Sequence, residues 1–121
     1  MPENKSESAI LAACMLALSR AGALAWRNNS GLLIGANGRR IRAGVPGSAD
    51  ILACYRGFFL AVECKTPAGR LRKSQENYRN AVSHAGGIYI MARSDADVAS
   101  AIRDIDAVAD CLAAAIRAVS P

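Results

Sequence analysis

Aromatic side chains are scarce in this 121-residue chain, at one Trp, three Tyr and two Phe, so stacking platforms for unpaired bases are not evident. Histidine is rarer still: His84 is the sole one, and beside Gly86-Gly87 it reads as a helix-end residue rather than a catalytic base. The four cysteines, at 14, 54, 64 and 111, show no CxxC or Cys/His spacing, which argues against zinc. They read as small core residues in a reducing, intracellular compartment. No apolar run is long enough to span a bilayer, and the apolar N-terminal helix carries Glu7 and Arg20 with no cationic start and cleavage-like site. A chain of this length has room for one modest core and one domain, 1–121.

What the chain does have is arginine. Lys and Arg outnumber Asp and Glu by 15 to 10, and twelve of the fifteen are arginines, suited to bidentate phosphate contacts. The surplus favours a polyanionic partner, although solubility alone would also be served by it. Arg39, Arg40 and Arg42 stand just ahead of Gly44-Val45-Pro46-Gly47, and Arg70, Arg72 and Lys73 follow the breakers Pro67 and Gly69. Each group reads as a phosphate-gripping loop or as a solvated charged turn; Arg27 joins them as a DNA-binding candidate. No base-reading motif is recognisable, so the expectation is DNA held through backbone and shape, branched or duplex.

Periodicity orders the chain as helix, strands, helix, strand, helix. Asn4 with Glu7 makes a helix start, Ile10, Leu11, Cys14, Met15 and Leu18 give its apolar stripe, and Gly22 suits its exit. Leu24–Arg27 is a short strand; Leu32–Ile34 and Arg39–Arg42 flank an Asn37-Gly38 turn, as a hairpin or a flexible loop. Ser74 is expected to cap a helix running through His84, with Tyr78, Ala81, Val82 and Ala85 inward and Gln75 in its first turn. Ile88–Ala92 reads as a buried strand that completes a mixed sheet through a crossover.

The residues richest in chemistry flank one hairpin. Ile51–Tyr55 and Phe58–Val62 are apolar runs around Arg56-Gly57; a two-residue turn there brings Asp50 opposite Glu63. Facing carboxylates repel unless something compensates them, and a shared divalent cation would. Strand alternation puts Lys65 on the face of Glu63 and turns Cys64 the other way with Val62 and Leu60. Oxygen ligands of this kind suit Mg²⁺ or Mn²⁺, and the lysine could orient an attacking water and steady phosphate charge. Taken singly, a strand-end aspartate and a Glu-x-Lys pair are more often surface features.

The pattern resembles the VRR-NUC domain of the PD-(D/E)XK nuclease superfamily, over about residues 5 to 105. The resemblance runs through the helix from Glu7, then Trp26–Gly31, Gly47–Asp50, Val62–Lys65, Gly69–Gln75, and Gly86–Ile90 with Ala92-Arg93-Ser94. It implies a central mixed sheet flanked by helices, with Asp50 and Glu63 as metal ligands, the Cys64 backbone carbonyl as a further ligand, Lys65 as the catalytic lysine and Gln75 as the helix glutamine beside the site. Glu7 lines up with an acidic first-helix position that could support a second ion. Ala49 departs from the proline common before the aspartate, which affects backbone shape and not the chemistry.

From Ser94 and Asp97 onward, Val98, Ile102, Ile105, Ala109, Leu112, Ile116 and Val119 recur at alternating four and three spacing. Asp104-Ile105-Asp106 could open a separate helix. The stripe is longer than so small a sheet needs, and the expectation is a C-terminal extension, residues 105–121, that pairs two copies. A two-fold dimer would present two centres to one branched DNA, as a Holliday-junction resolvase requires. The alternatives are a general, flap or nicking endonuclease without junction preference, or an inactive DNA-binding module, in a bacterium or phage-infected cell.

Overall fold

Two antiparallel strands joined by the tightest turn in the chain set the architecture. β4 (Ile51–Tyr55) and β5 (Phe58–Cys64) pair from Tyr55↔Phe58 to Ile51↔Val62, in the register expected. Arg56 and Gly57 both take positive φ, 49° and 86°, the combination whose twist matches a two-residue hairpin. The computed structural model describes residues 5–29 and 31–120, without the side chains of residues 31–33, 42 and 43.

β1 (Leu24–Arg27) adds antiparallel to β4, and β6 (Ile88–Ala92) adds parallel to β5, giving a four-stranded mixed sheet in the order β1-β4-β5-β6. The parallel pair requires a crossover, supplied by α2 (Lys73–His84). β2 (Gly31–Ile34) and β3 (Arg40–Ala43) form a separate antiparallel pair, so the loop around Asn37-Gly38 is a hairpin.

Helices α1 (Glu7–Ala21) and α3 (Asp95–Val119) cover one face of the sheet. Alternation aims Ile51, Ala53 and Tyr55 of β4 and Leu60, Val62 and Cys64 of β5 at Ile10, Cys14 and Leu18 of α1 and Val98, Ile102 and Ile105 of α3. Fully burying one aliphatic side chain of this kind stabilises by roughly 1.5–3 kcal/mol, so this layer dominates the fold. On the other face Ala49, Ala61 and Val82 form a smaller cluster with Leu52, Tyr78 and Tyr89. The molecule is thus mixed α/β, with three helices in layers on both faces of the sheet.

Several expectations need correction. Ser6, not Asn4, caps α1, its hydroxyl accepting from the Ala9 N–H at 3.1 Å; Asn4 lies outside the described residues. Helix α2 starts two residues earlier than a Ser74 cap allows, with Arg72 at the cap position, because the Gln75 side chain itself accepts the Arg72 N–H at 2.8 Å. Val82 is buried, but Ala81 and Ala85 are exposed on the rim of a groove shared with Val45 and Phe59. Asp104-Ile105-Asp106 lies inside one continuous helix, α3. Only two of the four cysteines are core residues: Cys14 and Cys64 are buried, whereas Cys54 and Cys111 are exposed, Cys54 by strand alternation and Cys111 because α3 has left the body there. Among the described residues no helix is long and apolar enough to cross a membrane.

Candidate functional site

Three chain segments meet where β4 begins and β5 ends. The β4–β5 ladder stops at Ile51↔Val62, one pair short of Asp50 and Glu63, because Asp50 bends away: its carbonyl accepts the Asn28 N–H at 2.8 Å. Its carboxylate nevertheless returns to β5, where Oδ2 accepts the Cys64 N–H at 2.8 Å. Glu7, exposed in the first turn of α1, completes the group. One carboxylate oxygen from each of Glu7, Asp50 and Glu63 lies within 4.8 Å of the others.

Glu63 is the unusual member. It is only 2 % exposed, on the α2 side of the sheet. Its Oε1 accepts from Gln75 Nε2 at 3.0 Å and lies 3.7 Å from Lys65 Nζ, while its Oε2 is buried with no hydrogen-bond partner. Burial first, and then the neighbouring Asp50 charge, push its pKa up to about 8, with Lys65 acting in the opposite sense. An isolated buried carboxylate takes up a proton for this reason unless a cation is supplied.

Gln75 is not the solvent-exposed first-turn residue that its position suggests; it is 4 % exposed. Its amide orientation follows from its partners: Oε1 must face the Arg72 N–H, an obligate donor, which leaves Nε2 to donate to Glu63. Lys65 is kept close by its surroundings as well. Its N–H donates to the Ala92 carbonyl at 3.0 Å, and the following turn folds back so that a side chain at Gly69 would meet Lys65 Cβ and Cδ at 3.4 Å.

Sequence reading missed what holds that turn. Arg93 Nη1 donates to the carbonyls of Thr66, of Pro67 at 3.1 Å and of Gly69 at 2.9 Å, tying the end of β6 to the loop after Lys65. Its own N–H is held by Asp97 Oδ2 at 2.8 Å. The signals available were a cation ending an apolar run and its place in the Ala92-Arg93-Ser94 stretch of the resemblance, neither of which shows this role. Asn28 was missed too: its Nδ2 donates to Ser48 Oγ at 2.8 Å and to the Ala49 carbonyl at 2.9 Å.

The remaining candidates fall into place unevenly. Cys64 turns its thiol into the core and follows Glu63 directly, so its carbonyl belongs to the strand end at the site. Arg70, Arg72 and Lys73 are exposed between Lys65 and the first turn of α2, and Arg27 is exposed at the end of β1, opposite Ile51. Arg39 and Arg40 are exposed on the β2–β3 hairpin; the Arg42 side chain lies outside those described. Compared with known proteins, the chain matches no family model, no curated protein and no solved structure.

Proposed function

We propose that the protein is a metal-dependent DNA endonuclease with a PD-(D/E)XK-type centre, of the kind the VRR-NUC resemblance implies. The observation that carries this reading is the unpartnered Oε2 of Glu63, nine-tenths buried and set among two further carboxylates and a lysine. Three carboxylates with no imidazole or thiolate among them fit a hard cation, Mg²⁺ or Mn²⁺. Asp50, Glu63, Glu7 and the Cys64 carbonyl would hold it, and when bound it supplies Lewis acidity at the phosphate oxygens.

The chain's own groups do the rest. Lys65 brings an ammonium next to Glu63, where it steadies phosphate charge and orients a water for in-line attack. Gln75 holds Glu63 through Oε1, which leaves Oε2 free. Arg27, Arg70, Arg72 and Lys73 line the approach with positive charge, which fits a polyanionic backbone.

A dimeric, junction-resolving form is favoured by one specific observation. The stripe on α3 is buried at Val98, Ile102, Ile105 and Ala109 but then runs on with Val108, Leu112, Ile116 and Val119, each more than half exposed. A second copy covering that face would set two centres about a two-fold axis.

The test uses labelled four-way junction and linear duplex with Mg²⁺, Mn²⁺ or chelator, for the wild type and Lys65→Ala. Paired junction cuts that need metal and disappear in the variant mark a resolvase; equal cutting of both substrates marks a general endonuclease. Binding with no cuts under any metal leaves an inactive DNA-binding module and removes the nuclease reading, whereas full cleavage by Lys65→Ala removes the assignment of the centre to these residues.

A further inference from the structure

Residues 31–47 lie between β1 and β4 and end three residues before Asp50. Asn28 joins the two feet of this excursion. Its side chain holds Ser48 and Ala49, and its N–H holds the Asp50 carbonyl. Above the feet, β2 and β3 pair with each other and not with the main sheet. The hairpin is closed by the Gly35 N–H on the Arg39 carbonyl at 2.8 Å, by Asn37 Oδ1 accepting the Arg39 N–H at 3.0 Å, and by Gly38 at φ 78°.

The returning foot is seated on the candidate centre. Gly47 has φ 73°, and a Cβ there would stand 2.1 Å from the Ser74 carbonyl oxygen, so its backbone lies directly on the first turn of α2. That turn carries Gln75, which holds Glu63. The ribbon is not paired with the main sheet, and its returning foot packs on the turn that carries Gln75.

Its composition is one-sided. No acidic residue occurs between Asn28 and Asp50, while Arg39, Arg40 and Arg42 do, and Arg39 and Arg40 are exposed. Ile34 is 75 % exposed and Ile41 54 %, apolar groups presented to water on the ribbon, whereas Val45 in its returning limb lines a groove with Phe59 and Val82. A cationic ribbon with exposed apolar side chains complements a polyanion whose interior edges are partly apolar. No aromatic residue lies between Asn28 and Asp50, so a stacked single strand does not fit. Two strands about 4.8 Å apart do fit the B-DNA major groove, about 12 Å wide, where thymine methyl groups offer apolar contact. The register Ile34↔Arg40 puts an apolar residue and an arginine on the same face of the ribbon.

We infer that residues 31–47 are a groove-binding arm that enters the major groove of a duplex segment next to the candidate centre. The inference rests on the nuclease reading for what happens beside the arm, and it adds to that reading a required duplex flank.

The test measures binding in chelator, by anisotropy over a range of salt, for labelled duplex and single strand of equal length. Arg39→Ala combined with Arg40→Ala is expected to lose roughly tenfold or more in duplex affinity and to lower the slope of log K against log salt by about two. Ile34→Ser is expected to weaken duplex binding several-fold with the slope unchanged. Dimethyl sulfate footprints give the groove: protection of guanine N7 by the wild type, lost in the double variant, supports the arm, and protection confined to minor-groove adenine N3 overturns it. Unchanged affinity and slope in both variants overturn it too, as does an equal loss on single strand. Both variants change exposed side chains, and a wild-type melting curve confirms that each is folded. Cleavage measured in parallel separates the two readings. Wild-type protein that binds through the arm and never cuts removes the nuclease and leaves the arm, whereas cutting that is indifferent to the arm variants removes the arm and leaves the nuclease.

Discussion

Glu63 is asked to be charged in a place that disfavours charge. With its pKa raised from 4.5 to about 8, the folded protein holds a proton that the unfolded chain releases at lower pH. The stability contributed by that proton is fully present below 4.5 and is lost as pH rises through about 8. Cation-free protein should therefore melt at progressively lower temperature across this window, and Mg²⁺ should reverse the trend, which calorimetry with and without chelator will read. Cation binding must displace the same proton, so affinity for Mn²⁺ should climb by up to about tenfold per pH unit below the pKa and then level off, measured by titration calorimetry. Glu63→Gln should abolish cation binding yet stabilise the cation-free protein above pH 8 by about 1–3 kcal/mol; a less stable variant there would show that the charge is not the burden. Asp50, Glu63 and Lys65 were legible because strand alternation and a two-residue turn are strict geometric rules. The burial of Gln75 was not, since a first-turn glutamine lies in water by default and only the tertiary packing of Gly47 over that turn covers it.

At the scale of elements, the loop after β5 matters as much as the strand. Arg93 gathers three carbonyls of that loop through one nitrogen, Nη1, whose two N–H bonds they share. Replacing it with Ala should lower kcat by about tenfold to a hundredfold through misplacement of Lys65, with KM for DNA nearly unchanged. Free guanidinium should restore part of the loss. A parallel loss of melting temperature and of DNA binding would mean that Arg93 merely holds the fold. Gly47→Ala is expected to destabilise by about 2–4 kcal/mol, because a positive φ and a backbone oxygen both oppose the methyl group; denaturant unfolding measures it. The β4–β5 turn and the crossover strand β6 could be read from Arg56-Gly57 and Ile88–Ala92. The start of α2 could not, because a glutamine side chain reached back to cap it where a serine stood one position earlier.

The whole molecule is lopsided. Helix α3 is continuous over 25 residues, about 37 Å, and its buried residues end at Ala109. The acidic pair Asp104 and Asp106 suggested a break, yet Asp106 instead accepts the Tyr55 hydroxyl at 2.6 Å and Arg56 Nη1 at 3.1 Å, and Asp110 takes Arg56 Nη2 at 2.9 Å. These contacts bind the hairpin turn to mid-helix, and a sequence cannot display partners fifty residues away. Beyond them the exposed face calls for cover. Leu112→Glu with Ile116→Glu should convert a concentration-dependent dimer into a monomer by sedimentation equilibrium while leaving the melting temperature of dilute protein unchanged; a wild type that is monomeric at every concentration removes the pairing.

The packing of α1 against α3 also has a consequence for synthesis. The helix that carries Glu7 is made first, but the layer it belongs to is completed by Val98, Ile102 and Ile105, which leave the ribosome last among the core residues. A nascent chain that has emerged only through β6 has all three carboxylates and the lysine, yet the surface that positions Glu7 is still open to water. The layer that seats Glu7 beside Asp50 and Glu63 is therefore completed only once α3 has been made.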